Sequence, residues 1–370
     1  MIRLQFKYAL GAISLMLGSI ALSIILMEAL TRLYDSVSIF RFPNFVTKEL
    51  DMLKDVGDSN SYDPLLGWRL RENLVNRDSN PISNSITTGE FGVRMNSGSI
   101  SPVPRNSILA VGDSFTFGSE VDDQWTWPAH LERLVRSPVV NAGNGGYGVD
   151  QIALHTEVLA SKIKPKTIIV HILSQDIIRN AYNVFGGGSK PYFTVEEGKL
   201  VHQNYPVPRL KDQRYDLGQF QTWLGYLYIA HKLFMRVDPD WWVDNNLRNR
   251  QIMPISAAIQ SSCLLMDRLA RIRLDNNAKV VVGFVYGGGE ISQKHLPPFV
   301  PPVIECAKKA GLEVLDFWDE FSQLSLVELK RLYVIHNDLP NIWGHMSSEG
   351  NLKVANSYCI KFYNCTRKYQ

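Results

Sequence analysis

The chain has 370 residues, of which 45% are hydrophobic and 20% are charged, and this composition is typical of a folded protein. Its length exceeds that of one small domain and fits one large α/β domain with additions. The 39 basic and 36 acidic residues nearly balance and give a net charge of +3. Proteins that bind nucleic acid usually carry a clustered basic excess, so the composition predicts no nucleic-acid partner.

The N-terminal segment is uncharged and mostly apolar over residues 8–27. About 20 such residues in a helix cross the hydrocarbon core of a bilayer. Arg3 and Lys7 precede the run, so the positive-inside rule places residues 1–7 in the cytoplasm and everything after the run outside it. A cleavable signal peptide is the alternative, but small residues in an A-x-A pattern do not follow the run. We therefore predict a retained, single-pass anchor in the inner (plasma) membrane.

Short apolar runs separated by helix-like stretches begin at residue 107. Runs of this kind, without polar alternation, are typical of a parallel sheet that helices cover on both faces, with right-handed crossovers. The expected strands are 107–111, 139–142, 167–173, 279–285 and 313–317. The expected helices lie around 125–136, 149–162, 256–275 and 300–310.

Residues 181–250 interrupt this rhythm of strands and helices. The segment contains a hairpin signal around Glu196-Glu197-Gly198 and a stretch rich in aromatic residues from Trp223 to Trp242. Those aromatic side chains can line a substrate groove or form a local hydrophobic core, and the local core is favoured. The predicted organisation is a cytoplasmic N-terminus at 1–7, a transmembrane helix at 8–27, a stalk at 28–60, and an α/β domain at 61–370 with an insertion at 181–250.

The chain has four cysteines: Cys263, Cys306, Cys359 and Cys365. They form no CxxC pair and no Cys/His spacing suited to zinc, so we predict no metal site. One or two disulfides can form if the domain is extracytoplasmic, and buried free thiols are an equal alternative. The sequence has neither a Walker-type phosphate loop nor a dinucleotide-binding glycine pattern, and no cofactor is predicted.

A serine follows the first expected strand in the tripeptide Gly112-Asp113-Ser114. Glycine allows the chain to turn tightly there. A serine between a strand and a helix lies near backbone N–H groups that can stabilise an oxyanion. Gly-Asp-Ser is also a common turn and helix-capping sequence, so the tripeptide alone does not predict catalysis.

Three segments together resemble the sequence blocks of the SGNH (GDSL-type) hydrolase superfamily, and they occur in that family's order. The segments are Gly-Asp-Ser at 112–114, Asn-Ala-Gly-Asn-Gly-Gly-Tyr-Gly at 141–148 and Gly-His-Met-Ser-Ser-Glu-Gly at 344–350. The resemblance implies Ser114 as nucleophile, Gly146 as a donor to the oxyanion and His345 as general base. It also implies a three-layer, flavodoxin-like α/β fold. The segments 62–68 and 92–94 are similar to a membrane-anchored branch of the family.

The third block of the family usually presents Asn from a Gly-x-Asn-Asp turn, as the last oxyanion donor. Here residues 173–176 read Leu-Ser-Gln-Asp, and Gln175 occupies the Asn position. A Gln amide can donate the same hydrogen bond from a longer arm. Ser174 is a substitute donor, and we expect Asp176 and Arg179 to brace the loop.

A second departure concerns the carboxylate that the family places two or three residues before its histidine. Ile342 and Trp343 occupy those positions and cannot accept a hydrogen bond from the imidazole as a carboxylate does. Asp338 is the best replacement, and Asn341 or a backbone carbonyl are alternatives. Without an acidic partner, a Ser114–His345 dyad is expected to be slower. The other seven histidines are expected to be surface or core residues.

The resemblance implies a serine esterase that removes an acyl group, with acetyl favoured, from an extracytoplasmic glycan or a small ester. One alternative is an O-acyltransferase that modifies a cell-surface polysaccharide beside a membrane acyltransferase partner. It differs only in whether water or a sugar hydroxyl attacks the acyl-enzyme. The two departures motivate another alternative, a binding or scaffolding module in polysaccharide export.

Overall fold

The computed structural model describes residues 2–53, 59–76, 85–209, 217–243, 249–335, 342 and 344–365. The helices are α1 (Ile2–Tyr34), α2 (Phe45–Leu53), α3 (Ser114–Phe117), α4 (Trp127–Val135), α5 (Val149–Ile163), α6 (Ser174–Arg179), α7 (Gln219–Leu224), α8 (Tyr228–Val237), α9 (Pro239–Val243), α10 (Ile255–Asn276), α11 (Gly288–Ser292), α12 (Val300–Lys309), α13 (Trp318–Ser322), α14 (Leu326–Leu332) and α15 (Ser348–Tyr363).

The strands are mostly short outside one central sheet. They are β1 (Asn60–Asp63), β2 (Gly67–Leu70), β3 (Val75–Asn76), β4 (Ile86–Thr87), β5 (Ile108–Gly112), β6 (Val139–Gly143), β7 (Thr167–Leu173), β8 (Tyr182–Phe185), β9 (Gly188–Ser189), β10 (Tyr192–Glu196), β11 (Lys199–Gln203), β12 (Arg250–Gln251), β13 (Lys279–Val285) and β14 (Glu313–Asp316). The chain forms two compact units: unit 1 contains 1–55 and 211–248, and unit 2 contains 56–210 and 249–370.

A five-stranded parallel sheet forms the centre of unit 2, with the strand order β14-β13-β7-β5-β6. Helices α4 and α15 pack together, and α10 packs against both α5 and α12. Right-handed crossovers place these two groups on opposite faces of the sheet. The predicted doubly covered parallel sheet is therefore confirmed, and its strand order is that of flavodoxin-like folds.

Apolar side chains fix this sheet between its helices. Every residue of β5 and β6 is buried, including Asn141 of β6, as the short runs without polar alternation predicted. Between the sheet and the helix pair α4–α15, the fully buried ring of Trp127 packs against Tyr358 and His171. Removing this much apolar surface from water is the main favourable contribution to folding.

The predicted hairpin is also present, because β10 and β11 pair antiparallel around Glu197 and Gly198. In the segment before the central sheet, β1–β2 and β3–β4 form two antiparallel pairs. The cysteines are paired as Cys263–Cys306 and Cys359–Cys365. The alternative of buried free thiols is therefore wrong.

A buried ion pair joins the insertion to α5 within unit 2. Lys190 Nζ lies 2.5 Å from Asp150 Oδ2, and both side chains are fully buried. Burial lowers the pKa of Lys190 and raises that of Asp150, while their mutual attraction opposes both shifts. The ammonium also donates to the carbonyl oxygens of Arg179, Tyr182 and Pro191. Satisfying every proton in this way is what allows a lysine to remain charged in a protein interior.

Unit 1 has its own small hydrophobic core, made by Val46, Ala230, Trp242 and Val243. The buried position of Trp242 agrees with the local-core interpretation of the aromatic stretch. Residues Gly11–Tyr34 of α1 are long and apolar enough to span a membrane. Near its C-terminal end, α1 contributes two buried charged residues to unit 1: Glu28 and Arg32, whose side chains pair at 2.5 Å.

We expect Lys190→Met to lower the free energy of unfolding by about 3–5 kcal/mol, because the Asp150 carboxylate is left buried without its partner. Urea unfolding of the full chain in detergent measures the loss. Adding Asp150→Asn to this variant should recover part of the loss. The control is Lys279→Met, which breaks a surface pair with Glu313 and should change the free energy by less than about 0.5 kcal/mol. Equal losses in the two single variants would contradict the expected role of the buried pair.

Candidate active site

The nucleophile predicted from the sequence stands at the carboxyl end of β5. Ser114 is the first residue of α3 and is 9% exposed. The turn before it requires glycine, because a Cβ on Gly112 would lie 2.2 Å from Thr116 Oγ1 and 2.4 Å from the carbonyl oxygen of His171. The absence of a side chain at Gly112 thus lets the chain pass from strand to helix close to β7.

Asp113 holds this turn together through both of its carboxylate oxygens. Oδ1 accepts a hydrogen bond from the Phe115 N–H at 2.9 Å and caps α3. Oδ2 accepts from Ser114 Oγ at 3.3 Å and from Arg179 Nη1 at 2.9 Å. The Ser114 hydroxyl is therefore held by a neighbouring acceptor in this structure.

Arg179 and Asp176 brace the loop after β7, as the sequence predicted. Arg179 Nη1 donates to Asp176 Oδ1 at 2.5 Å and to the Tyr147 carbonyl at 3.0 Å. Asp176 Oδ2 accepts from the Leu173 N–H at 2.8 Å. Burial and the nearby Asp113 carboxylate raise the pKa of Asp176 well above its usual range. The guanidinium of Arg179 is thus the cation that permits two carboxylates to lie in one buried cluster.

A carboxylate does contact the predicted base, but it comes from the loop after α3. Glu120 Oε2 lies 3.3 Å from His345 Nδ1 and accepts the backbone N–H of His345 at 2.9 Å. The contact at Nδ1 has the separation of an ion pair, without the angles of a well-aligned hydrogen bond. Glu120 is therefore the carboxylate beside Nδ1 of His345, the atom that an acidic partner contacts in a catalytic triad.

The approach of these two segments depends on Gly344. Its φ is 145°, and a Cβ there would lie 2.0 Å from the Val334 carbonyl oxygen and 3.5 Å from Glu120 Oε2. Glu120 itself has a positive φ of 70°, an uncommon conformation for a residue with a side chain. Both features bring the loop that carries His345 close to the loop that follows Ser114.

Ser114 and His345 line the same cleft, which has a volume of about 380 Å³. Phe115 and Ile342 give its wall an apolar part, and Phe115 packs against the His345 ring at 5.3 Å between centroids. The cleft falls within the size range of small-molecule sites. An adjoining pocket shares several polar side chains with it: Gln175, Arg179, Glu290 and His295.

Of the two expected oxyanion donors, Gln175 lines the cleft with Ser114, and Gly146 is not among the described residues that line it. Gln175 is exposed, and Gly146 lies in the turn between β6 and α5 with a φ of 78°. Its role and that of Gln175 remain predictions. Ser174 donates its hydroxyl proton to Glu290 Oε2 at 2.6 Å, and its role as a substitute donor also remains a prediction.

The sequence did not single out Glu120. Asp338 and Asn341, the partners proposed for His345, lie outside the described residues. The prediction of Asp338 followed the family pattern, in which the acid precedes the histidine in sequence. The available signal was an acidic residue six positions after Ser114, just past Gly118, whose φ is 81°. A turn at that glycine can direct the chain back toward the nucleophile.

Three other histidines are core residues, as predicted. Burial lowers the pKa of His130, His155 and His171 to about 4. His171 Nδ1 pairs with Tyr358 OH at 2.8 Å. These rings are neutral near pH 7, and none of the three lines the cleft that contains Ser114.

No protein-family model matches the sequence, and no curated protein matches it. Solved structures similar to the chain include a lipolytic protein of the G-D-S-L family from Desulfitobacterium hafniense DCB-2, with 14% identity, 68% of this chain and 97% of that chain covered, and a TM-score of 0.33. The acetyl xylan esterase AlAXEase is 11% identical, with 69% and 99% covered and a TM-score of 0.37.

A catalytic mutant of an acetylxylan esterase from Geobacillus stearothermophilus is 13% identical, with 73% of this chain and 100% of that chain covered and a TM-score of 0.35. The structural neighbours thus include esterases and lipolytic proteins of the GDSL type. Likeness at this level does not assign a function to the chain, and the function has to follow from the site.

The depressed pKa of His155 predicts acid sensitivity. Between pH 6.5 and about 4, His155 is protonated in the unfolded chain and neutral in the folded chain. The free energy of unfolding therefore falls as the pH drops through this range. One such histidine contributes about 3 kcal/mol to that loss. We expect His155→Leu to lose correspondingly less stability across this range. Urea unfolding of both proteins from pH 8 to pH 4 tests this, with their difference at pH 8 isolating the packing effect. Parallel curves would contradict the assignment.

Proposed function

We propose that this chain is a serine esterase of the SGNH type, with Ser114 as nucleophile and His345 as general base. The observation that carries the proposal is that the serine and the histidine line one cleft while a carboxylate lies against Nδ1 of the histidine. A buried serine at a strand-to-helix turn, an imidazole and an acid are the three groups that acyl transfer requires.

In the first half of the proposed reaction, Ser114 Oγ attacks the ester carbonyl and passes its proton to His345 Nε2. The carbonyl oxygen becomes an oxyanion, for which the N–H of Gly146 and the amide of Gln175 are the proposed donors. Collapse of this intermediate breaks the bond to the alcohol, which leaves with the proton from His345. The acyl group remains bound to Ser114 as an ester.

In the second half, His345 takes a proton from water, and the hydroxide attacks the acyl-enzyme. The new bond forms between the water oxygen and the acyl carbon, and the bond to Ser114 Oγ breaks. The proton on His345 returns to Oγ, and the carboxylic acid is released. Throughout, Glu120 acts as a positioning residue: it holds the imidazole orientation and stabilises the imidazolium.

We infer that the substrate is a small acyl ester, with acetyl favoured, carried by an extracytoplasmic glycan or a small molecule. The cleft volume of about 380 Å³ suits a short acyl group and part of an alcohol. Arg179 and Glu290 supply polar contacts beside the apolar wall. The paired cysteines fit an oxidising compartment, and α1 fits a single-pass anchor with the catalytic unit outside the cytoplasm.

Turnover of p-nitrophenyl acetate by the full chain in detergent tests the proposal. We expect Ser114→Ala to lower kcat by at least about 10³-fold, since the nucleophile is lost. A fluorophosphonate probe should label wild-type Ser114 and leave the variant unlabelled. Wild-type protein without turnover and without labelling would contradict the esterase and favour a binding module in polysaccharide export.

The same experiment distinguishes hydrolysis from transfer. An acetylated sugar, detected by mass spectrometry after a glycan acceptor is added, would indicate that a sugar hydroxyl replaces water. Release of acetate alone, at a rate that the acceptor leaves unchanged, would support the hydrolase. The acyltransferase alternative is retained because a membrane anchor suits work beside a membrane acyltransferase partner.

The role of Glu120 is tested by Glu120→Gln, which keeps an acceptor for the His345 N–H but removes the charge. We expect kcat to fall by about 10³–10⁴-fold with KM nearly unchanged, because the carboxylate stabilises an imidazolium that forms only during reaction. Glu120→Asp should restore part of this loss. The measurement is the pH profile of kcat and kcat/KM.

A matched control is Glu349→Gln, which removes a carboxylate of an exposed pair with Arg331 at the start of α15. Its kcat should remain within about twofold of wild type, as surface pairs contribute little. A Glu120→Gln enzyme with wild-type kcat across the pH range would exclude Glu120 from the reaction and leave a dyad.

A further inference from the structure

The end of α1 is part of the folded structure of unit 1. Glu28 Oε1 accepts the backbone N–H of Tyr228 at 2.7 Å, and Oε2 accepts that of Ile229 at 2.8 Å. Glu28 therefore caps the N-terminus of α8 from another helix. One turn further along α1, Arg32 donates to the carbonyl oxygens of Ser38, Arg41 and Tyr226. These bonds fix unit 1 around the last turns of α1.

Large apolar side chains of α1 are exposed from Ile13 to Tyr34, whereas Glu28 and Arg32, which bond to unit 1, are buried at 8% and 1% exposure. The stretch that is long and apolar enough to cross a membrane is Gly11–Tyr34. About 20 residues at 1.5 Å per residue match the hydrocarbon core of a bilayer. A bilayer around α1 would therefore end within the last two turns of the helix, where Glu28 and Arg32 hold unit 1.

The direction of α8 shows which part of unit 1 lies nearest that level. Its first residues contact Glu28, while Lys232, four residues later, pairs with Asp35 at 3.0 Å. Helix α8 thus runs in the same direction as α1, away from the bilayer. The turn that joins α7 to α8 stands at its starting end, and the segment 38–42 loops back to Arg32.

Exposed aromatic residues concentrate in this part of unit 1. The set, called here the aromatic collar, consists of Phe40 (85% exposed), Phe42 (65%), Phe220 (73%), Trp223 (77%) and Tyr226 (47%). Phe220 and Trp223 are three residues apart on α7 and share one helix face. The core of unit 1 is built by other residues, so these rings are not required for its packing.

We propose that the aromatic collar inserts into the headgroup region of the bilayer that α1 crosses, and so fixes unit 1 on the membrane surface. The occupant is lipid because the two collar segments are held at the end of the apolar helix, where Arg32 bonds to the Arg41 and Tyr226 carbonyls and packs on the Phe42 ring. Aromatic rings are enriched at this depth, where an apolar face meets lipid and a polar edge meets water. The proposal rests on the membrane placement proposed above.

The test uses the full chain in vesicles of phosphatidylethanolamine and phosphatidylglycerol, with part of the lipid brominated near the carbonyl end of the acyl chain. Subtracting the emission of Trp223→Phe from that of the wild type isolates the fluorescence of Trp223. We expect the brominated lipid to quench most of this component. The matched control is the same vesicle with the bromines near the methyl end of the acyl chain, which should quench Trp223 less because the collar lies at the level of the headgroups.

Alkaline carbonate extraction of the same vesicles tests the anchor separately. Retained protein with unquenched Trp223 would overturn the collar while leaving the anchor intact. Extracted protein with quenched Trp223 would support the collar as a peripheral lipid-binding surface without a spanning helix. Extracted protein with unquenched Trp223 would overturn both. Equal quenching of Trp223 by shallow and deep bromines would also overturn the collar, because it would indicate contact with lipid at no defined depth.

Discussion

The candidate site depends on one contact between segments 225 residues apart in sequence, where Glu120 meets His345. One carboxylate oxygen is close to both the backbone N–H and the Nδ1 of the histidine. The hydrogen bond to the backbone N–H fixes the position of the loop, and the charge of the carboxylate lies beside Nδ1. In the proposed reaction, Nε2 serves as the base.

The site lies at the edge of the parallel sheet where the carboxyl ends of its strands meet. Strands β5 and β7 end side by side, with Gly112 paired to His171. Ser114 begins a helix after β5 and Ser174 begins one after β7, so both loops open on the same edge. Ligand sites in open α/β sheets occur at such edges. The buried cluster of Asp113, Asp176 and Arg179 then holds these two loops in register.

The sequence predicted the fold well because the sheet is encoded locally. Each central strand is a short apolar run with little ambiguity, and β7 and β13 have the predicted bounds. Ser114 and His345 could be predicted for a similar reason, since each lies in a segment that resembles a family motif. The carboxylate beside His345 could not be predicted, because its identity depends on how two distant loops pack. The hydrogen bond from Ser174 to Glu290 is likewise a tertiary contact that composition and spacing do not predict.

In the proposed reaction, a carboxylate at Nδ1 speeds the chemistry, and its position in the sequence relative to the histidine does not matter. When the carboxylate lies in the loop after Ser114, that loop and the loop of His345 must approach each other closely. Gly344 must lack a side chain so that its loop can approach, and Glu120 must adopt a positive φ to present its carboxylate. The energetic cost of that backbone conformation, of order 1–3 kcal/mol, is the kind that proteins retain at functional sites. The contact between Glu120 and His345 thus combines two backbone conformations with positive φ, one in each of the loops that meet.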